Sequence, residues 1–482
     1  MKRLFVFFVL LLLASFPCFS QGYEINISMK TKNDTVYLTH IFAKEDPLRL
    51  DTTIVLKNGK GVFKSDEVLP KGLYYIVNDS KSFQILIGNN QKFAIEADTT
   101  DFYHLNRFAA STDNDVFYNY LRDNIQRGKQ QQQLIEQYQN TTDDAEKKTI
   151  NEQLQALYKE KMALTQKSIN DNEGLYVSKY LKAQMPLELP ELPREEQYYW
   201  YRAHYFDNFN IYDPDMLRTP LYEKKLTDYL TWFSQIHLPD TVCAEMDRML
   251  TKAMHDKEVF RCVLATMFNY FSPKEELIAH DNFVVNLVDN WYIPHAEWAT
   301  NIEEMKKYAD KVRPTLIGKL APPLEQLMIF SPEHFKAAAL DTAIKNDMHA
   351  GRIISDFRNS INSKYLAILF WDIGCSHCKE KIQQLWEVYE ACKDKGLQVI
   401  AVQTLWDGKA RWVDFINEHD MLGNGWLNAW IIYDLKWHDL YNASVVPILY
   451  LLNEKKEIIL KGNIDPQEIQ SRIEAFAGMN QE

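Results

Sequence analysis

Two cysteines, Cys375 and Cys378, lie directly after a short apolar run. The run Ala367–Trp371 predicts a buried strand, and the residues that follow it predict a short turn. From Lys379 to Cys392 apolar side chains recur at helical spacing, so Cys375 is expected at a helix N-terminus. The free N–H groups and the dipole of a helix stabilise a thiolate there, and the thiolate is the reactive form of cysteine. The segment therefore predicts a redox pair in which Cys375 attacks a disulfide and Cys378 resolves the mixed disulfide.

Two other interpretations of the pair are weaker. A Cys-x-x-Cys motif can be half of a zinc site, but a structural zinc site needs four ligands. The nearest candidates, His419 and His438, belong to no second closely paired motif. An inert pair of core cysteines fits poorly at the exposed end of a strand. We therefore predict a redox-active disulfide between Cys375 and Cys378, with no metal and no cofactor.

Strands and helices follow one another downstream of the pair. The sequence predicts strands at Leu397–Val402, Ser444–Leu452 and Glu457–Lys461, and helices at Ala410–His419 and Pro466–Phe476. Pro447 fits near the edge of its strand, where a missing N–H is tolerated.

With these elements, residues 365–478 resemble the thioredoxin superfamily, most closely the envelope-bound TlpA-type thiol:disulfide oxidoreductases. The resemblance implies a C-terminal α/β thioredoxin-like fold. It also implies that the Val446–Pro447 peptide bond is cis and faces the cysteine pair. Trp371 matches the tryptophan that this family places four residues before its first cysteine.

The chain departs from the family at three positions near the pair. Leu369 stands where thioredoxins usually bury an aspartate that helps to move the proton of the resolving thiol. Lys381 stands where TlpA-type reductases often carry glutamate, and Gln383 replaces a helix-kinking proline. The thiol chemistry remains possible, but the usual proton relay is not expected.

His377 lies between the cysteines. Its imidazolium is predicted to stabilise the Cys375 thiolate and so to make the disulfide a stronger oxidant. This histidine and the valine before Pro447 resemble oxidising members of the superfamily, whereas the domain as a whole resembles reducing members. We predict a reductase; oxidation and isomerisation remain alternatives.

The N-terminus, Met1–Ser20, has two basic residues, an apolar run and then small residues, which predicts a cleaved secretory leader. Cleavage after Ser20 is expected to leave Gln21 as the first residue in the periplasm or cell envelope. A lipoprotein anchored at Cys18 is the alternative, although Phe16 and Pro17 match a lipobox poorly. No other stretch approaches the length of a membrane span.

Charge and cysteine content limit the partners. Loss of the leader lowers the formal net charge from −12 to −14 by removing Lys2 and Arg3. Such an acidic chain without a basic stripe argues against nucleic acid. The expected partners are disulfide-containing envelope proteins and an unidentified redox donor. Five cysteines remain after cleavage, too few for a disulfide scaffold; Cys392 is expected to be buried, and whether Cys243 pairs with Cys262 is open.

Two further domains are predicted before residues 316–482. Residues 21–110 alternate and contain turn signals, which predicts a small antiparallel β-sandwich resembling the β domain often fused to TlpA-type proteins. Residues 111–315 predict an α-helical domain that begins with two long helices, Asp115–Gln139 and Ala145–Asn170, and weakly resembles a helical domain of unknown function. Pro186–Pro193 predicts a rigid loop.

Clusters of aromatic residues occur in the last two domains. The segment 198–209 predicts either a helical core, which is favoured, or the lining of a partner or ligand groove. Asn424–Trp430 predicts a loop in which Trp426 and Trp430 pack on the sheet or rim a groove.

The stretch Pro332–Lys345 predicts a helical insertion.

Together these features predict a secreted protein of three domains whose chemistry is dithiol–disulfide exchange. The rival hypothesis is a binding or scaffold protein that holds an envelope partner with its β and helical domains and uses the cysteine pair only to sense redox state.

Overall fold

The computed structural model describes residues 22–272, 280–347, 350–431, 436–443 and 445–479. The predictions for the leader, including Cys18 and the new N-terminus at Gln21, lie outside these residues. Within the described segments, no helix combines the length and the apolar character that a membrane crossing requires. The chain divides into two compact units: unit 1 is Met1–Leu230 with His255–Cys262, and unit 2 is Thr231–Met254 with Val263–Glu482.

The strands of unit 1 form two four-stranded sheets, in the orders β4-β1-β7-β8 and β3-β2-β5-β6. These strands are β1 (Glu24–Met29), β2 (Thr35–Phe42), β3 (Lys44–Val55), β4 (Lys60–Lys64), β5 (Gly72–Asn78), β6 (Lys81–Ile87), β7 (Lys92–Ala97) and β8 (Arg107–Ala109). Inward-facing side chains of both sheets, such as Ile25 and Ile85, belong to one apolar core. The sheets therefore pack as a sandwich. One pair differs from the antiparallel prediction, because β1 and β7 run parallel.

Helices make up the rest of unit 1. They are α1 (Phe102–Leu105), α2 (Thr112–Asn140), α3 (Asp144–Asp171), α4 (Tyr176–Ala183) and α5 (Arg194–His204), while α6 (Tyr222–Ile236) and α8 (Lys257–Phe271) contribute to both units. The two long helices are confirmed as α2 and α3. Each begins at a capping side chain: Ser111 accepts the N–H of Asn114 at 3.4 Å, and Asp143 accepts that of Ala145 at 2.8 Å.

Unit 2 contains a seven-stranded sheet and the remaining helices. These helices are α7 (Pro239–Ala253), α9 (His280–Leu287), α10 (Ile293–His295), α11 (Ile302–Val312), α12 (Pro332–Leu340), α13 (Thr342–Asn346), α14 (Phe357–Ser360), α15 (Ser376–Cys392), α16 (Lys409–Glu418), α17 (Trp437–Leu440) and α18 (Pro466–Met479). The strands are β9 (Leu327–Phe330), β10 (Arg352–Ile354), β11 (Tyr365–Trp371), β12 (Leu397–Gln403), β13 (Trp426–Trp430), β14 (Ile448–Leu452) and β15 (Ile458–Gly462).

Strand β11 lies inside the sheet, whose order is β10-β9-β13-β12-β11-β14-β15. Strands β11, β12 and β13 run parallel, and β14 returns antiparallel on the other side of β11. Side chains of β11 alternate between two cores: Leu369 faces the core that includes α15, whereas Phe370 faces the core that includes Tyr441. Buried on both faces, β11 holds its C-terminal end rigidly.

A buried ion pair attaches the helices before the sheet to its edge strand. Lys461 of β15 pairs with Asp281 of α9, and each side chain is 8% exposed. Tyr308 of α11 donates its hydroxyl to Asp281 at 2.6 Å. Because a buried charge needs a partner, the pair fixes α9 against β15 within unit 2.

Two element predictions in unit 2 are wrong. The segment Trp426–Trp430, predicted as part of a loop, is the interior strand β13, which lies between β9 and β12. The single helical stretch Pro332–Lys345 is two helices, because Asp341 ends α12 and its carboxylate caps α13 by accepting the N–H of Ala343 at 2.7 Å. The alternative that placed both tryptophans on the sheet is confirmed, since both are buried.

Candidate active site

The cysteine pair lies at the C-terminal end of β11, between two neighbouring segments. On one side the loop after β12 is attached to β11, because the N–H and hydroxyl of Thr404 donate to the carbonyl of Trp371 at 2.9 and 3.0 Å. On the other side Ile448 pairs with Phe370 of β11, which places Val446 and Pro447 beside the end of the strand. The chain thus leaves β11 where two loops meet, the usual position of a functional site in an open α/β sheet.

Asp372 shapes the turn between β11 and α15. Its carboxylate accepts the N–H of Gly374 at 2.5 Å, and its carbonyl accepts the N–H of Cys375 at 3.1 Å. The turn therefore presents Cys375 at the first position before the helix.

Cys375 is the N-cap of α15. Its Sγ accepts the N–H of Cys378 at 3.4 Å, and the residue is half-buried. An N–H donated to sulfur at the positive end of a helix stabilises the thiolate relative to the thiol. Cys375 is thus both reachable and electrostatically suited to attack.

Cys378 lies one turn below, in the core. It is fully buried, and burial raises the pKa of its thiol to about 12. A hydrogen bond with the Asp372 backbone acts to lower that pKa, whereas Cys375 and the charge of Asp372 act to raise it. In this structure both cysteines are free thiols, and so are Cys243 and Cys392. Cys392 is buried as predicted. The disulfide form of Cys375 and Cys378 remains a prediction.

The supporting residues lie in different surroundings. The Val446–Pro447 peptide bond is cis, as predicted. Trp371 is fully buried and packs against Phe415, with ring centroids 5.7 Å apart. His377 is exposed, and among the described residues no hydrogen bond or ion pair of its ring is present. Its proposed effect on Cys375 would act through charge alone.

The departures from the family pattern have local structural roles. Leu369 is a fully buried core residue. The Nζ group of Lys381 donates a hydrogen bond to the carbonyl of Ile464 at 2.7 Å, which ties α15 to the segment just before α18. Gln383 lies within hydrogen-bonding distance of the His419 ring, 3.0 Å from Nε2. Within the described part of the chain, no three His, Cys, Asp or Glu side chains form a group able to hold a metal.

Two residues of interest were not singled out from the sequence. Asp372 was interpreted only as a turn residue, although it is the carboxylate whose charge acts on Cys378. Trp406 lies in the loop that follows β12, and its side chain is 73% exposed. Its neighbour Leu405 packs on the same core as Cys375. No motif or spacing in the sequence marks either residue.

Comparison with known proteins gives one family match. Residues 145–321 match the model of a domain of unknown function (DUF5106). No curated protein matches the chain.

Several solved structures similar to the chain are described as thioredoxin-like or as thiol-disulfide oxidoreductases. A thioredoxin-like protein from Bacteroides caccae is 19% identical with a TM-score of 0.41, over 60% of this chain and 99% of that one. A domain of a possible thiol-disulfide isomerase from Cytophaga hutchinsonii is 24% identical with a TM-score of 0.26, over 34% and 96%. The thioredoxin domain of a thiol-disulfide oxidoreductase from Bacteroides vulgatus is 22% identical with a TM-score of 0.25, over 33% and 96%. Because identities and TM-scores are this low, the chemistry of the site is inferred from its own geometry.

Proposed function

We propose that this protein is a thiol:disulfide oxidoreductase of the cell envelope that reduces protein disulfides. The observation that carries the proposal is the contrast within one helical turn. Cys375 caps α15 and is partly exposed, whereas Cys378 is fully buried beneath it. Dithiol exchange needs one thiol that a substrate disulfide can reach and a second thiol that reacts only with the first. Cys375 and Cys378 fit these two roles.

The reaction proceeds in two steps. The Cys375 thiolate attacks one sulfur of the substrate disulfide, so that a mixed disulfide forms and the other substrate sulfur leaves as a thiolate. Cys378 then loses its proton and attacks Sγ of Cys375, which releases the second substrate thiol and forms the Cys375–Cys378 disulfide. Two electrons pass to the substrate, and an external dithiol, the unidentified redox donor, must return them.

Asp372 is the proposed acceptor of the Cys378 proton. Thioredoxins use a buried aspartate at the position of Leu369, and this chain has none there. Because the pKa of Cys378 is raised, its proton must be removed during the second step. Asp372 is the carboxylate that acts on this thiol, and it already belongs to the turn that holds Cys375.

Exposed apolar side chains favour a polypeptide substrate. Trp406 is 73% exposed and Val445 is 79% exposed, and each belongs to one of the two loops beside the cysteine pair. Large apolar side chains left in water near a reactive group mark a surface that a partner covers. Disulfide-containing envelope proteins would provide such a partner.

The proposal also includes an assignment of the domains and of the N-terminal leader. It comprises a TlpA-type thioredoxin-like domain at 316–482, a β-sandwich at 21–110, a helical domain at 111–315 and a leader at 1–20 that directs the chain to the periplasm. The position of the cysteine pair after β11 of a mixed sheet supports the first part. Mass spectrometry of the secreted protein would test the leader, with Gln21 expected at the N-terminus and a lipid on Cys18 as the contradicting result.

Insulin reduction tests the activity. The full secreted chain with dithiothreitol as donor should reduce insulin, and Cys375→Ser should abolish turnover. Cys378→Ser should accumulate a mixed disulfide with a substrate protein, because the resolving thiol is gone. Cys392→Ser, at the other end of α15, is the matched control and should remain active. No turnover by the unmodified chain would reject the proposal and favour the rival scaffold function.

The reduction potential of the pair separates a reductase from an oxidant. A reductase should have a potential near that of thioredoxin, about −270 mV, whereas an oxidant should approach that of DsbA, about −120 mV. His377→Pro should make the potential more negative by roughly 30 mV if the imidazolium favours the reduced form by about 1.4 kcal/mol. An unchanged potential would show that His377 has no role.

A further inference from the structure

An open cleft of about 620 Å³ lies in unit 1. It is bounded by α3, by α4 and the extended segment after it, and by α5 with the residues that follow. A second space of about 520 Å³ shares Gln166 and Met185 with the first and continues along α3 to Tyr158. We name the two together the Trp200 cleft. The cleft follows one face of α3 for about 20 Å, at 1.5 Å per residue.

Trp200 forms a supported wall of the cleft. Its indole stacks on the His204 ring, with centroids 4.5 Å apart and an angle of 23° between the rings. His204 is in turn held by Asp207, whose Oδ2 lies 2.7 Å from its Nδ1. The sequence left two alternatives for the segment 198–209, a helical core or the lining of a groove, and different residues of the segment fit each one. Tyr205 and Phe206 pack on Tyr229, whereas Trp200 lines a groove.

The polar side chains of the cleft include hydrogen-bond donors and acceptors that have no partner among the described residues. Asn170 accepts from Gln166 at 2.8 Å, so the amide N–H groups of Asn170 and the carbonyl oxygen of Gln166 have no partner among the described residues. Asn208 donates to the carbonyl of Pro186 at 3.0 Å, and its own side-chain oxygen remains open. Lys182 and Glu173 line the same space without an ion pair to any described residue.

This inventory limits the chemistry of the ligand. Carboxylates outnumber cations in the lining of the two spaces, which contains Glu173, Glu188 and Asp207 against Lys182 and Lys159. Phosphate or another anion would be repelled, and a lipid chain would leave the amides unsatisfied. Amides mixed with open donors and acceptors suit hydroxyl groups, which both donate and accept. An indole with a supported back face suits a ring that has an apolar face and a polar edge.

We propose that the Trp200 cleft binds a neutral oligosaccharide, with one sugar ring packed on Trp200 and further rings extending along α3 towards Tyr158. The length of the cleft and its volume favour a chain of several sugars over a monosaccharide. This binding function is independent of the cysteine pair. It would give the protein a second specificity, for glycan, beside its proposed redox activity.

The test is binding of the full secreted chain to an array of neutral, anionic and basic oligosaccharides and of basic and acidic peptides. Titration calorimetry and tryptophan fluorescence then measure the affinity of the best neutral oligosaccharide. Trp200→Ala should weaken its binding by at least tenfold, whereas Tyr199→Ala, an exposed neighbour on α5, should leave it unchanged. Cys375→Ser combined with Cys378→Ser should also leave it unchanged, so that failure of the redox proposal does not affect the result.

A second pair of variants keeps the test decisive if Trp200→Ala unfolds. Gln166→Ala on the exposed surface of α3 should weaken binding, while Lys167→Ala beside it should not. Binding to none of the neutral oligosaccharides, or selective binding to charged glycans or to peptides, would overturn the proposal. Neutral-glycan binding that survives both Trp200→Ala and Gln166→Ala would overturn the assignment to this cleft.

Discussion

The two cysteines of the candidate site differ in access. Cys375 is half-buried at the helix end, whereas Cys378 is fully buried with a pKa raised to about 12 by burial. Iodoacetamide applied at pH 6 to the reduced protein should therefore label Cys375 first, because thiolate is scarce and inaccessible at Cys378. Peptide mass spectrometry after short exposure measures the order, and faster labelling of Cys378 would reverse the assigned roles.

Asp372→Asn tests the proposed proton acceptor. Asparagine keeps the oxygen that accepts the Gly374 N–H but removes the negative charge that raises the pKa of Cys378. The pKa of Cys378 should therefore fall, as measured by the chemical shift of ¹³C-labelled cysteine in a Cys375→Ser background. With both cysteines present, the mixed disulfide should persist longer because its resolution loses a base. Asp394→Asn, an exposed change beyond α15, is the control; equal behaviour of the two variants would count against Asp372.

Trp406→Ala tests whether the exposed indole contacts a protein substrate. A large aromatic side chain at a binding surface commonly contributes about 2 kcal/mol, so kcat/KM for insulin should fall by roughly 30-fold. Activity on bis(2-hydroxyethyl) disulfide should stay the same, because so small a substrate does not reach the indole. Leu340→Ala removes a side chain that is 92% exposed on α12 and should change neither activity. An equal loss on both substrates would mean that Trp406 supports the site structurally.

The roles of single residues could be predicted where the residue type carried the chemistry. The cysteine pair, its place before a helix and the cis bond at Val446–Pro447 followed from the motif and the resemblance. Asp372 and Trp406 did not, because a turn aspartate and a loop tryptophan have no spacing that marks them. Their importance depends on which loops meet at the end of β11, and only the sheet order reveals this.

At the level of elements, strands made of continuous apolar runs were predicted correctly, whereas a strand that mixes apolar and polar residues was not. Strands β11 and β12 are buried on both faces and were predicted from their composition. Strand β13 was missed because it is short and has Asn428 in its centre. That asparagine is buried, but its side chain donates to the Met421 carbonyl at 2.9 Å and accepts from the Trp426 indole at 3.1 Å. A buried polar residue whose hydrogen bonds are satisfied within the fold, here by a carbonyl before the strand and an indole on it, breaks the apolar pattern and hides the strand from local periodicity.

The ion pair between α9 and β15 gives a prediction about stability. Asp281→Asn would leave Lys461 buried without a counter-charge, which typically costs about 3–5 kcal/mol of the free energy of unfolding. Urea denaturation of the full chain would measure this loss. Glu474→Gln breaks the exposed pair with Lys395 and should cost much less, so similar costs for the two variants would contradict the prediction.

The same pair should make stability depend on acidity. Burial disfavours the charged form of Asp281, but hydrogen bonds from His280, Lys461 and Tyr308 outweigh it and hold the pKa of Asp281 below its ordinary value. A carboxyl whose pKa is lowered by folding stabilises the protein above its unfolded pKa, about 3.9, and loses this contribution as the pH falls through the folded value. The difference in stability between the native chain and Asp281→Asn should therefore shrink below about pH 4.

At the scale of the whole molecule, the multidomain character of the chain was predicted, but contacts across the expected boundary at residue 315 were not. Asp281 and Thr315 precede that boundary, and both lie within hydrogen-bonding reach of Lys461. Such contacts join residues 146 to 180 positions apart and leave no signal in local composition. Whether residues 316–482 form an independent domain remains a prediction.

Two fragments test that boundary. A fragment of residues 231–482 should unfold at a higher urea concentration than one of residues 316–482, because the shorter one lacks α9 and α11. In the longer fragment Lys461→Met should lower the free energy of unfolding by several kcal/mol, because Asp281 loses its partner. In the shorter fragment position 461 should be exposed to water, so the same substitution should cost about 0.5 kcal/mol or less. Equal stability of the two fragments, with equal effects of the substitution, would support an independent domain at 316–482.

Because Cys375 is partly exposed and Cys378 is buried, the proposed reaction also fixes the order in which the redox donor and the substrate react with the protein. A donor and a substrate must both use the single sulfur that reaches the surface, so the protein cannot hold the two at once. Its steady-state kinetics should be ping-pong, with parallel lines in double-reciprocal plots, and an excess of either partner should inhibit the other by occupying the same atom.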